Sequence, residues 1–289
     1  MEKLIIIGNG LDLYHKFETS YNDFRKFLTK KDYCLLCLIE MYFPKVSQEV
    51  GKWGDLEAAL GQIDIDAVYN DAVEDKEIDD EHLYSSLEAI VDSVHFGLKE
   101  LLEKLHKRFS EWINSIEILP IAAEEEYLPY IDNKALFLTF NYTETLESLY
   151  KIDSRNILYV HGKRKSGDKL ILGHNRLKKY EKISMQTDPF NVQTDAKKEI
   201  VDLINKEYKH VDDIISRHEE FFASLSQIAK IVVYGHSLSD VDMPYFEKVA
   251  SSVSPLASWE IYCHKEDDVY RAKRMVEQLK IKAYFIRIP

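Results

Sequence analysis

Five short polar stretches hold the residue types that do chemistry, and all five follow apolar runs: Gly8–Leu13 (GNGLDL), Leu138–Glu147 (LTFNYTETLE), Tyr159–Lys163 (YVHGK), Ile171–Asn175 (ILGHN) and Val233–Asp242 (VYGHSLSDVD). Glycines straight after a buried strand permit positive φ and let backbone N–H groups approach a phosphate, to which the next helix start adds partial positive charge. Gly8, Asn9 and Gly10 suit that role, although the third glycine of a GxGxxG fingerprint is missing and Asp12 would repel a phosphate placed too near. A structural turn explains these glycines as well. Thr139, Asn141 and Tyr142 emerge where the ALFLT run ends. The Asn141 amide both donates and accepts, so it suits a sugar hydroxyl or a water. His161, with a reference pKa of about 6.5, can exchange a proton near neutral pH. Gly235, His236 and Ser237 present a further glycine and polar pair, while Thr143 is read as a helix cap and Ser239 or Asp240 as the cap of the helix that carries Pro244.

The elements that must position these residues follow from the apolar pattern. Leu4–Ile7 reads as a strand buried on both faces, and similar runs at Ala135–Thr139, Asn156–Val160, Lys230–Tyr234, Trp259–Cys263 and Lys282–Ile288 predict further strands. Helical segments between them argue for an α/β fold, a doubly wound, mostly parallel sheet. Such sheets bind ligands at the carboxyl ends of their strands, where the polar stretches fall. Between the first and second strands the period becomes helical, with Leu83, Leu87, Ile90, Val94, Leu98, Leu101, Leu105 and Phe109 among the apolar positions of one long helix over 82–116. We therefore expect one domain over 1–289 with a helical insertion at 20–130. An acidic run, Asp71–Glu81, reads as a solvated loop in that insertion, and Asp195–Ala229 as a second helical stretch.

Lys and Arg number 38 against 50 Asp and Glu, for a net charge of −12. That balance disfavours nucleic acid as a partner, since such binding rests on many cationic side chains displacing counterions. The local cluster Lys163-Arg164-Lys165 is the exception. Three cysteines fit a reducing cytoplasm better than a disulfide framework, and Cys34 and Cys37, in the apolar run CLLCLI, are expected to pack in the core. The apolar start is too short for a signal peptide, and no run reaches the roughly 18 residues of a membrane helix. A soluble, cytoplasmic protein is expected.

The ordered set IIIGNGLDL, WGDLE at Trp53–Glu57, LTFNYTETLE, VHG, ILGH and YGHSLSDVD resembles the AbiH family of bacteriophage abortive-infection proteins over essentially the whole chain. That family in turn resembles Rossmann-like, sirtuin-like NAD-binding domains, whose glycine turn, Thr-x-Asn-Tyr, His-Gly and late Gly-x-Ser-x-x-Asp patterns align with Gly8–Gly10, Thr139–Tyr142, His161-Gly162 and Gly235–Asp240. The resemblance implies hydrolysis of NAD or a related nucleotide at the N-glycosidic bond, with Asn141 and His161 catalytic. Gly8, Asn9, Gly10, Asp12, Thr139, Tyr142, Gly235, His236, Ser237 and Asp240 would bind the nucleotide. It implies NAD as substrate or ligand with no prosthetic group or metal, and admits a phage-derived trigger and self-assembly. The GNGLD turn departs from the usual loop, and no four-cysteine zinc module is present, which argues against a protein deacetylase.

Two other classes stay open on the residues alone. In a metal-dependent nuclease or phosphoesterase, His161, His174 and His236 with Asp12 and Asp240 would supply the ligands, though none has the spacing of a known metal motif. In a nucleotide sensor without turnover the same pocket would bind but not react. Glu57, on the insertion, reads either as closing over the cleft or as a surface ion pair.

Overall fold

A computed structural model describes residues 2–44, 46, 52–74, 83–119, 131, 133–179 and 192–288. The chain divides into two compact units. The first, formed by Met1–Ser20, Ile113–Ile171 and His210–Pro289, contains the sheet. Its strands are β1 (Lys3–Ile7), β2 (Leu136–Thr139), β3 (Ile157–Tyr159), β4 (Lys230–Tyr234), β5 (Ser258–Cys263) and β6 (Lys282–Arg287), in the spatial order β3-β2-β1-β4-β5-β6. Every pairing is parallel. Each run expected to form a strand does so.

The order makes β1 the pivot. From β1 the chain builds outward through β2 and β3, then returns to add β4, β5 and β6 on the other side. Crossovers therefore leave β1 in opposite directions, and the carboxyl ends of β1 and β4 flank the point of reversal, where open α/β sheets form their crevice. Both faces of β1 are covered, as its unbroken apolar run requires. Leu4 and Ile6 join a core with Trp259 of β5 and with Phe222, Phe246, Val249 and Met275, drawn from helices Glu219–Ala223, Met243–Ser252 and Glu266–Leu279. Ile5 and Ile7 point the other way, into a cluster with Leu11, Phe137 and Leu146.

The second unit is built from two stretches, Tyr21–Trp112 and Leu172–Lys209. Its long helix runs Leu83–Ser115, close to the span read from periodicity, and buries Ile90, Val94, Leu98, Leu101, Leu105 and Phe109 along one stripe. Trp53 of the WGDLE stretch is fully buried against Phe24, which also meets Phe109 and Trp112 edge-on or tilted at centroid distances of 5.1 to 6.2 Å. Of the acidic run, Asp71 and Glu74 lie on helix Ile65–Glu74, and positions 75–81 fall outside the described residues.

Two expectations change. Cys34 and Cys37 are exposed, not core residues. Helix Tyr33–Tyr42 turns Leu35, Leu36, Ile39 and Tyr42 inward, and a 3.6-residue repeat then leaves positions 34 and 37 on the outer face despite their apolar neighbours. The stretch read as helical over Asp195–Ala229 breaks into Val192–Lys206, Val211–Arg217 and Glu219–Ala223. The first break falls where His174 N–H bonds the Glu207 carbonyl and Lys209 N–H bonds the His174 carbonyl, a strand-like exchange that helical geometry cannot supply.

Candidate active site at the carboxyl ends of the strands

The glycine turn after β1 is shaped by β4. Gly8 N–H donates to the Tyr234 carbonyl at 3.0 Å and Gly10 N–H to the Gly235 carbonyl at 2.8 Å. A Cβ on Gly8 would lie 2.5 Å from His236 Cα, and one on Gly10 would lie 2.4 Å from Gly235 Cα. Gly235 itself has φ +64°, and its own Cβ would meet Gly10 Cα at 2.6 Å. Backbone against backbone therefore accounts for all three glycines. Asn9 anchors the turn by donating its side-chain N–H to the Thr19 carbonyl at 2.9 Å.

Asp12 lies beneath this turn, fully buried. Thr143 Oγ1 donates to its Oδ2 at 2.5 Å and Thr145 Oγ1 to its Oδ1 at 2.6 Å. Burial pushes the Asp12 pKa above the ordinary carboxylate value, against the opposing pull of Thr143, Thr145, Asn141 and the more distant Arg164 charge. Thr143 is therefore a ligand of Asp12 and not the expected helix cap; the cap of Thr145–Ser148 is Glu144, with no side-chain bond.

Asn141 follows β2 and is 5% exposed. Its main-chain N–H donates to Thr139 Oγ1 at 3.1 Å. The side chain is different: it lies close enough to Asp12 to favour the carboxylate, yet neither Oδ1 nor Nδ2 makes a hydrogen bond of acceptable geometry, and both atoms are buried. Desolvated polar atoms of this kind cost about 1–3 kcal/mol each when unsatisfied, so native proteins rarely keep them without a purpose.

His161, after β3, is 3% exposed and belongs to a second cluster centred on Asp242. Asp242 Oδ1 lies 3.5 Å from His161 Nε2, and Oδ2 lies 3.5 Å from His236 Nε2. Ser239 Oγ donates to Oδ2 at 3.4 Å. Phe140 stands between the imidazoles, with ring centroids 5.3 Å from His161 and 4.2 Å from His236, and Tyr245 closes the group at 5.9 Å from His161. Asp242 is also the N-cap residue of helix Met243–Ser252, the place expected for Ser239 or Asp240.

The remaining candidates disperse. Tyr142 donates its hydroxyl to the Ile171 carbonyl at 2.7 Å, with its ring 6.0 Å from His161. Ser237 and Asp240 are exposed, and Asp240 pairs with Arg274 at 3.2 Å. His174 does not follow a strand and belongs to the helical unit, where Nε2 meets the Ile204 carbonyl at 2.7 Å and Nδ1 accepts from Arg176 N–H; burial lowers its pKa. Among the described residues no three His, Cys, Asp or Glu side chains are arranged to hold a metal ion. Glu57, in the same unit, is held by the buried Lys209 ammonium at 2.8 Å. The basic cluster behind His161 is largely neutralised. Arg164, 4% exposed, grips Glu144 through two bonds of 2.6 and 2.7 Å and also donates to the Ile113 and Ile116 carbonyls, while Lys163 pairs with Glu147 at 3.3 Å. Burial works against ionisation of Glu144, but the Arg164 bonds outweigh it and hold the carboxyl below its ordinary range.

Asp242 and Thr145 were not among the residues picked from sequence, and Arg164 was picked only as part of a basic cluster. Asp242 was within reach, since Ser-Asp-Val-Asp before a proline offers two acidic capping positions and only the second is the helix cap.

This set of strand-end residues falls within residues 4–263, which match the family described as bacteriophage abortive infection AbiH. The chain belongs to the AbiH family. That membership assigns it to defence against bacteriophage by abortive infection. Searches of curated proteins and of solved structures returned no match. Among the described residues of this AbiH chain no helix is long and apolar enough to cross a membrane.

Proposed function

We propose that this AbiH protein acts in abortive infection by hydrolysing NAD, or a closely related nucleotide, at the bond between ribose and its base. The observation that carries this reading is Asn141: a buried amide with both polar atoms unbonded, at the carboxyl end of a strand beside the crevice of a parallel sheet. An amide presents a donor and an acceptor together, which is what a ribose hydroxyl or a positioned water requires. The strand order is also that of doubly wound dinucleotide-binding sheets.

The reaction takes NAD and water to ADP-ribose, nicotinamide and a proton. Its transition state is oxocarbenium-like and its leaving group good, so orientation and charge stabilisation do most of the work. Asn141 holds the ribose or the water. His161 accepts the proton, a step for which a positioned base typically contributes about 10²–10⁴-fold. The N–H groups of Gly8 and Gly10 are already bonded to the Tyr234 and Gly235 carbonyls. The glycine turn therefore meets the diphosphate as a close, side-chain-free surface rather than as a row of donors.

The test is release of nicotinamide from NAD by the purified protein, with and without phage lysate, compared with Asn141→Ala and His161→Ala. Turnover in the parent and its loss in both variants is the expected result. A parent protein that cleaves no NAD under either condition overturns the reading.

A further inference from the structure

Two histidines share one buried carboxylate, and the two arms are not equivalent. Leu238 N–H donates to His236 Nδ1 at 2.9 Å. That bond occupies the Nδ1 lone pair, so the neutral imidazole must carry its proton on Nε2, the atom 3.5 Å from Asp242 Oδ2. The donor is held rigidly, because Leu238 adopts φ +53°, a left-handed conformation rare for a leucine. Its side chain, 4% exposed, anchors the loop in the core. Ser239 Oγ meets the same oxygen. Oδ2 is thus committed, and Oδ1 faces His161 Nε2 at 3.5 Å. At that separation the attraction is electrostatic rather than a well-formed hydrogen bond.

We propose that Asp242 is the positioning residue of His161. It draws the imidazole proton to Nε2, makes Nδ1 the basic nitrogen and stabilises the imidazolium formed when Nδ1 takes a proton, while His236 fixes which carboxylate oxygen does so. The role of His161 as base rests on the reading above; the tautomer assignment does not.

Asparagine at 242 makes the two-arm arrangement testable. His236 Nε2–H demands the amide oxygen, which turns the amide N–H₂ toward His161. A donor facing His161 Nε2 forces that atom to accept and moves the proton to Nδ1. The side-chain nitrogens of ¹⁵N-histidine-labelled protein report this directly by NMR. In the parent, His161 should show a pyrrole-type Nε2 and a pyridine-type Nδ1. In Asp242→Asn the two should exchange character. In the double variant Asp242→Asn/His236→Phe the amide can turn, because the Ser239 hydroxyl accepts as well as donates, and the parent pattern should return; phenylalanine suits the contacts His236 makes with Phe140 and Phe246 at 4.2 and 5.0 Å. If the parent carries its His161 proton on Nδ1, or Asp242→Asn leaves the pattern unchanged in a folded protein, the proposal is overturned, whatever the enzyme turns over. Where NAD is cleaved, Asp242→Asn should lower kcat by about 10²-fold or more with KM little changed, and the double variant should recover part of it. An absence of NAD cleavage with the tautomer pattern as stated overturns the proposed reaction and leaves the positioning role standing.

Discussion

Thr143 Oγ1 donates to Asp12 Oδ2 at 2.5 Å, joining the helix after β1 to the loop after β2 across 131 residues of sequence. With the Thr145 bond on the other oxygen, both carboxylate atoms are held from the loop after β2 and the start of the helix Thr145–Ser148. Asp12 is thus the internal tie between the two strand ends that carry the glycine turn and Asn141. Replacing Asp12 by alanine leaves two buried hydroxyls without their acceptor. The expected loss is about 1–3 kcal/mol for each hydroxyl left unsatisfied, read by urea denaturation at constant m. A loss under about 0.5 kcal/mol would show the tie to be idle.

The same carboxyl makes stability pH-dependent in a direction opposite to that of most acids. Its folded pKa is raised, chiefly by burial, so the folded state binds the proton more tightly than the unfolded chain. Its contribution is full below the ordinary carboxylate range and declines as pH rises through the raised folded value. Asp12→Asn removes the titration and keeps one acceptor and one donor for the two threonines. The stability of the parent minus that of Asp12→Asn should therefore fall as pH rises from the ordinary carboxylate range through the raised folded value. A difference that rises over this window contradicts the assignment.

Gly8, Gly10 and Gly235 form a backbone contact with no room for a methyl group. Gly8→Ala should cost about 1–3 kcal/mol by displacing His236, because its Cβ meets main chain rather than a flexible side-chain end. Gly235→Ala should cost more, since a positive φ adds about 1–2 kcal/mol of strain. Thermal melts of the two variants check both the losses and their order.

In the helical unit, Lys209 has no exposed side-chain surface and meets Glu57, which also accepts from Gly173 N–H at 3.4 Å. Removing one partner of a buried pair strands the other charge. Lys209→Met should destabilise by about 3–5 kcal/mol, whereas the double change Lys209→Met/Glu57→Gln should recover much of it. A double variant as unstable as the single one would mean that the cost is one of shape.

The sheet was legible because strands buried on both faces read as short apolar runs, each stopped by glycine or a polar residue. Asn141 and His161 stood out for the same reason, as polar groups just past such runs. The Asp12 tie was not legible: nothing local in Asp12 or Thr143 announces a partner on the far side of an insertion. Asp242 was hidden by its neighbour Asp240, which differs from it only in the direction that a helix start imposes. Cys34 and Cys37 were misread because a run such as CLLCLI does not say which of its residues face outward until the helix has a packing partner. For the same reason the helix Val192–Lys206 could not be assigned to the unit of Tyr21–Trp112. Its amphipathic pattern records that it packs, not against what.

The central claim is that Asn141 is kept for a ligand and not for the fold, and one paired measurement on Asn141→Ala tests it. Nicotinamide release and the melting temperature are read on the same preparation as the parent protein. The account predicts that NAD cleavage falls by at least about 10²-fold while the melting temperature changes little, since neither amide atom makes a hydrogen bond of acceptable geometry. Retained cleavage, or a clear drop in melting temperature, would contradict it.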